Sequence, residues 1–60
     1  MIDYKYSFVS NNMEADMYVL VMSCWYVDAE GQRVDVKSET QLNKTLSESF
    51  ALAQSFIIPE

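Results

Sequence analysis

Cysteine and histidine, two residue types common in catalytic and zinc sites, are nearly absent from this chain. Cys24 is the only cysteine, and the sequence contains no histidine. A cysteine acts as a nucleophile only as a thiolate, which needs a base or a positive field nearby. Because Cys24 lies within an apolar segment, we interpret it as an inert core residue. A disulfide within the chain and a zinc site of cysteine and histidine ligands are excluded by the composition.

Four of the nine acidic residues lie in two small groups, each next to a predicted turn. Asp28, Glu30 and Gln32 alternate around one turn, but the remainder of a twelve-residue calcium loop is missing. Glu14 and Asp16 flank the other turn, at the opposite end of the predicted sheet, so the two groups do not form a catalytic pair. No glycine-rich phosphate loop is present. We therefore predict no enzymatic activity, no metal and no cofactor.

Size and charge narrow the possible partners. The sequence has 60 residues, which predicts a single domain over 1–60, and a core this small often needs a partner chain for stability. Nine acidic residues against four basic ones give a net charge of −5, which repels nucleic acids and anionic membranes. The absence of a secretory signal after Met1 and the lone thiol predict a cytoplasmic protein.

The elements are organised around the apolar segment between Asp16 and Asp28. Its eleven residues are too few for a membrane helix of about 20 residues, and it is rich in β-branched and aromatic residues. We therefore predict a central strand. At roughly 3.3 Å per residue this strand is unusually long, so we expect a bend or a bulge near Ser23 and Cys24.

Two further strands are predicted beside the central one. Residues 2–8 alternate between apolar and polar side chains, and residues 10–15 resemble a loop because they begin with Ser-Asn-Asn. Residues 28–31 are typical of a type I turn followed by glycine, and residues 33–37 alternate again. If Asp28 opposes Gln32, Tyr26 faces Val34 and Cys24 faces Val36.

The C-terminal part of the sequence predicts one helix. Capping-box spacing occurs at both Ser38 and Thr45, which leaves two possible starts, and Pro59 is the predicted end. Helical spacing places five apolar residues on one stripe: Leu42, Leu46, Phe50, Ala53 and Ile57. Leu52 and Phe56 either widen this core-facing stripe, which we favour, or form a second contact site. The predicted fold is α+β, a three-stranded antiparallel meander (β-β-β) with one C-terminal helix packed on one face.

A single helix covers only one face of such a sheet. Even-numbered residues such as Tyr6, Met22 and Cys24 are predicted to lie under the helix. The apolar odd-numbered residues of the central strand remain uncovered, and we predict that they bind a partner: Met17, Val19, Val21, Trp25 and Val27. In the alternative, the side-chain stems of Lys5, Arg33 and Lys37 cover this stripe. The open strand edges are another route to a dimer.

These features favour a small acidic, non-enzymatic protein-binding module. We expect it to act as an inhibitor or adaptor that occupies a partner surface, and to form a homodimer, with Trp25 as the main anchor of the contact. Virus-encoded and mobile-element inhibitors of host factors often have this character, and a viral origin would place the protein in the host cytoplasm. The alternatives are an acidic mimic of nucleic acid that blocks a basic groove, and a structural subunit of a larger assembly.

Overall fold

A three-stranded antiparallel sheet followed by one helix makes up the computed structural model, which describes residues 2–58. The strands are β1 (Lys5–Glu14), β2 (Met17–Val27) and β3 (Arg33–Lys44), and the helix is α1 (Leu46–Phe56). The sheet order is β1-β2-β3, with β2 in the centre. The predicted α+β meander with a C-terminal helix is therefore confirmed.

The first hairpin is longer and tighter than the sequence suggested. β1 begins at Lys5 and continues through Asn11 and Asn12, which pair with Val19 and Tyr18, so the predicted loop over residues 10–15 is wrong. The chain reverses at Ala15 and Asp16, which have φ values of +41° and +66°. Positive φ at both central residues is the signature of a type I′ turn, which matches the twist of the strands.

The second hairpin turn agrees with the prediction. The Asp28 carboxylate accepts the backbone N–H groups of Glu30 and Gln32, each at 2.9 Å, and Gly31 has a φ of +80°. The Gly31 N–H also donates to the Asp28 carbonyl at 3.0 Å. The Asp28 side chain is therefore occupied in shaping the turn.

β3 extends seven residues beyond its predicted end at Lys37 and contains two irregularities. Trp25 pairs with Asp35, but Cys24 pairs with Lys37, so Val36 is an additional residue in a β-bulge. The irregularity lies next to Cys24, but its extra residue belongs to β3 and not to the central strand, and the predicted pairing of Cys24 with Val36 is wrong. The shift moves Lys37 to the helix side of the sheet. A second shift occurs at Asn43, whose φ is +57°.

The helix begins after Thr45, so the alternative start at Ser38 is wrong because Ser38 lies within β3. The Glu48 N–H donates to the Thr45 hydroxyl at 3.2 Å, and the Glu48 carboxylate accepts the Thr45 N–H at 3.2 Å. These reciprocal bonds satisfy helix N-terminal donors. α1 ends at Phe56 with Ile57 as C-cap, and the predicted stop at Pro59 lies outside the described residues.

The orientation of the helix differs from the predicted stripe. Ser49 and Phe56 are buried and Leu52 is half-buried, whereas Leu46 and Phe50 are exposed. Ile57 is also exposed, and Leu42 belongs to β3. Of the two interpretations of Leu52 and Phe56, core packing is confirmed, although they replace the predicted stripe instead of widening it.

The core between the sheet and the helix is small. Leu20, Met22, Cys24 and Phe56 form its buried centre, surrounded by half-buried apolar residues: Tyr4, Tyr6, Leu52 and Ile58. The Ile58 N–H donates to the Tyr6 hydroxyl at 2.8 Å, which fastens the residues after α1 to β1. No helix in the described part of the chain has the length and apolar character needed to cross a lipid bilayer.

Candidate protein-binding surface

The sheet face opposite α1, here called the bare face, carries the candidate site. Within residues 2–58 no element packs against this face, because α1 is the only helix there and it lies on the other side. Strand alternation and the observed register place seven apolar residues on it: Val9, Met17, Val19, Val21, Trp25, Val27 and Leu42. All five predicted partner-binding residues therefore share one face.

The half of the bare face nearest the first hairpin is aliphatic. Val21 lies at its centre and pairs with Val9 on β1 and with Thr40 on β3. Val9 is 47% exposed, and Leu42, which follows two residues after Thr40 on the same face, is 59% exposed. These side chains extend the apolar stripe of β2 onto both neighbouring strands.

Val9 and Leu42 lie on the bare face, but the sequence does not predict them there. Val9 fell beyond the predicted end of the first strand, although it continues the alternation of Lys5 and Ser7. Leu42 was assigned to the helix because the polar segment before it resembled a helix cap. The Val36 bulge reverses which residues of β3 face the bare side, so simple alternation from Val34 does not identify Leu42.

The half of the bare face around Trp25 is more polar. The Arg33 guanidinium lies 4.2 Å from the Trp25 ring centroid, a cation–π contact, and its Nε donates to Asp35 at 2.8 Å. The side chains of Arg33 and Asp35 remain 54% and 71% exposed. This pair therefore covers part of the indole and stays accessible to solvent.

Of the basic side chains in the alternative, Arg33 covers part of the stripe, whereas Lys37 does not face it. Lys37 lies on the opposite side of the sheet, with its Nζ 4.2 Å from the Phe56 ring centroid. The Lys5 ammonium is 3.5 Å from the Asp3 carboxylate. Neither ammonium group is placed over the aliphatic half of the bare face.

Reactive groups, metal ligands and small-molecule pockets do not offer another candidate site within residues 2–58. Cys24 is fully buried on the helix side, and no cluster of three potential metal ligands occurs among residues 2–58. A shallow groove of about 230 Å³ lies between β3 and α1, lined by Lys37, Glu39, Leu52 and Phe56 among others. Pockets for small molecules usually exceed about 300 Å³, so this groove is a poor candidate for such a site.

Comparisons with protein-family models, with curated proteins and with solved structures find no match to this chain.

Proposed function

We propose that this protein is a non-enzymatic protein-binding module that occupies a partner's surface with its bare face. The observation that carries the proposal is the imbalance of the central strand: β2 is apolar on both faces, and only one face is covered within residues 2–58. A strand that is apolar on both sides normally lies between two layers. A partner protein would supply the second layer.

The composition of the bare face supports this proposal. Protein interfaces combine a central apolar patch with a polar rim, and their strongest contacts come from tryptophan, tyrosine and arginine. Here Val9, Val21 and Leu42 form the patch, and Trp25 stacked under Arg33 supplies both favoured residue types at one end. Binding by occupation alone suits an inhibitor or adaptor in the cytoplasm, including one encoded by a virus or mobile element.

The first experiment locates the contact on the molecule. A photo-crosslinking amino acid at position 42 is expected to trap a partner in lysate, whereas the same group at position 54, on the outer side of α1, is not. The trapped protein is then purified and its affinity measured for Leu42→Glu and Trp25→Ala. Each substitution should raise Kd by roughly 30-fold or more, on the scale of interface hot spots.

A matched variant guards against misfolding and non-specific charge effects. Gln54→Glu introduces the same charge as Leu42→Glu outside the bare face and should leave Kd unchanged. Because Leu42 is 59% exposed, its replacement should not disturb the core. Unchanged affinity in both Leu42→Glu and Trp25→Ala, with the fold intact by circular dichroism, would refute the proposal.

Ionic strength distinguishes this function from mimicry of nucleic acid. Several carboxylates are already engaged within the chain, including Asp28 in its turn, Asp35 with Arg33 and Glu48 at the helix cap. A contact through the bare face should change little between roughly 50 and 200 mM salt. A phosphate mimic in a basic groove should lose much of its affinity over the same range.

A further inference from the structure

A second apolar surface lies on α1, apart from the bare face. Leu46, Phe50, Ala53 and Ile57, here called the helix flank, recur at helical spacing, about 90° around the helix axis from the buried Ser49, Leu52 and Phe56. Leu46 is 53% exposed, Phe50 64% and Ile57 48%. This is the stripe that the sequence predicted to face the core.

The helix flank points towards β1. On the other side of α1, Leu52 and Ser55 line the groove shared with β3. The helix flank must therefore lie on the β1 side, where the Phe8 ring, 39% exposed, packs edge-on against Phe56 at 6.0 Å between centroids. Phe8 and the helix flank together border the free edge of the sheet at β1.

The two edges of the sheet differ in how well they resist strand pairing. β3 carries charges along its length and is interrupted at Val36 and Asn43, and such charges and bulges discourage edge-to-edge association. β1 pairs regularly with β2 from Lys5 to Asn12 and has no charged residue between positions 6 and 13. β1 is therefore the unprotected edge.

We propose that a second copy of this chain pairs with β1, strand against strand, about a two-fold axis perpendicular to the sheet. The result is a six-stranded antiparallel sheet with both helices on the same side. This inference rests on the proposed function and deepens it, because it assigns the dimer contact to the edge and leaves both bare faces free for a target.

Symmetry and charge are compatible with this pairing. The two-fold axis requires residues opposite each other to share a face, which is met when Val9 lies opposite its own copy and Phe8 opposite Ser10. Lys5 of each protomer then meets the end of the strand that carries Glu14 of its partner. Both lie on the bare face, since Lys5 pairs with Trp25 and Glu14 with Met17. Opposite charges at this position favour the pairing.

The spacings of the strands and helices are also compatible with this dimer. Across β2-β1-β1-β2 the two helices are separated by three strand spacings, about 14 Å, which exceeds the 8–10 Å of closely packed helices and leaves space for large side chains. Leu46, Phe50 and Ile57 of each protomer project into this space together with Phe8. With about 200 Å² for each fully exposed large residue, their exposed fractions amount to about 400 Å² per protomer. This is about half of the 800 Å² or so per partner of a standard interface, and the β1 edge adds to it.

The test is the mass of the protein across a concentration series, by sedimentation equilibrium or light scattering. The wild-type protein should have twice its 6.9 kDa chain mass at high concentration. Phe50→Glu should raise the dimer Kd by roughly 30-fold or more, because the change occurs twice in a symmetric contact. Ser10→Lys, which places a charge on the β1 edge, should also raise it.

Matched controls assign the contact to one surface. Gln54→Glu introduces a charge on the outer side of α1, and Ser38→Lys places lysine on the β3 edge; both should leave the mass unchanged. A wild-type monomer at every concentration, an assembly larger than a dimer, or a dimer that resists either Phe50→Glu or Ser10→Lys would overturn the inference. So would a dimer that Leu42→Glu or Ser38→Lys abolishes.

Target binding by the monomeric Phe50→Glu variant separates this inference from the proposed function. If the dimer contact lies at the β1 edge, the variant should still bind the target through its bare face, with the affinity of one site. Failure of both Leu42→Glu and Trp25→Ala to weaken target binding refutes the proposed function and leaves the dimer contact standing.

Discussion

Met22 and Cys24 are fully buried in the centre of the helix-covered face. With a buried centre of only Leu20, Met22, Cys24 and Phe56, each of these side chains provides a large share of the apolar contacts. A 60-residue domain has a total stability of about 3–9 kcal/mol at the usual range per residue. Changes at single core positions should therefore decide whether the chain folds.

Truncation of Met22 tests this dependence. Met22→Ala should lower the free energy of unfolding by about 2–5 kcal/mol, because it removes buried methylene groups and leaves a cavity. Met13→Ala is the matched control, since Met13 is 54% exposed, and its effect should stay within about 0.5 kcal/mol. Urea denaturation measures both values, and equal losses in the two variants would contradict the assigned core.

Among the elements, the first hairpin turn stores local strain. Ala15 has a φ of +41°, in a region where a β-carbon is disfavoured by about 1–2 kcal/mol. Ala15→Gly should raise the free energy of unfolding by roughly 0.5–1 kcal/mol, since relief of strain outweighs the extra freedom of the unfolded chain. Ala29→Gly, in a turn residue without positive φ, should instead lower it. A loss of stability in Ala15→Gly would exclude the type I′ geometry.

The start of α1 should respond to acid. The Thr45 N–H and hydroxyl both donate to the Glu48 carboxylate, and these bonds lower the pKa of Glu48 from its ordinary value of 4.5. A carboxyl whose pKa is lower in the folded state stabilises the fold above its unfolded-state pKa, and that contribution is lost as the pH falls through the folded-state value.

Substitution of Glu48 isolates this effect. Glu48→Gln should reduce the dependence of unfolding free energy on pH below about 4.5, as measured by urea denaturation at several pH values. Thr45→Ala should cost about 1 kcal/mol at neutral pH as a lost helix cap, whereas Ser38→Ala, in β3, should have little effect. An unchanged acid dependence in Glu48→Gln would contradict the capping role.

The elements differ in how far the sequence predicts them. β2 and the turn at Asp28 follow from local patterns, because apolar content and Asx-turn chemistry act over a few residues, whereas capping spacing limits the helix start only to Ser38 or Thr45. The polar part of β3 beyond Lys37 does not follow from local patterns, since its extended structure depends on pairing with β2. Ser38 therefore resembled a helix cap although its backbone is extended.

The orientation of α1 shows the same limit. Apolar residues cover nearly half of its circumference, from Leu52 through Phe56 and Ile57 to Phe50. Helical periodicity alone is satisfied by any part of that arc. Contacts with the sheet decide which part is buried, because Phe56 packs against the rings of Tyr6 and Phe8. The sequence does predict which residues of β2 lie on the bare face, because side chains alternate between the two faces of a regular strand.

At the scale of the whole molecule, α1 is too short to cover the sheet. The molecule extends 44 × 21 × 10 Å, whereas an eleven-residue helix is about 16 Å long. Apolar side chains therefore remain exposed on both sides of the sheet, at the bare face and at the helix flank. The two proposals assign the helix flank to a second copy and the bare face to a target.

Thermal stability should reveal the association. For a protein that unfolds from a dimer, each tenfold rise in concentration adds about 1.4 kcal/mol per dimer, which should raise Tm by about 3 °C or more in a domain of this size. Differential scanning calorimetry at two concentrations a hundredfold apart measures the shift. Phe50→Glu should melt at one temperature at both concentrations, below the wild-type value at the higher one, because Phe50 is 64% exposed in the single chain and lies at the proposed dimer contact. A wild-type Tm that does not change with concentration would contradict the dimer.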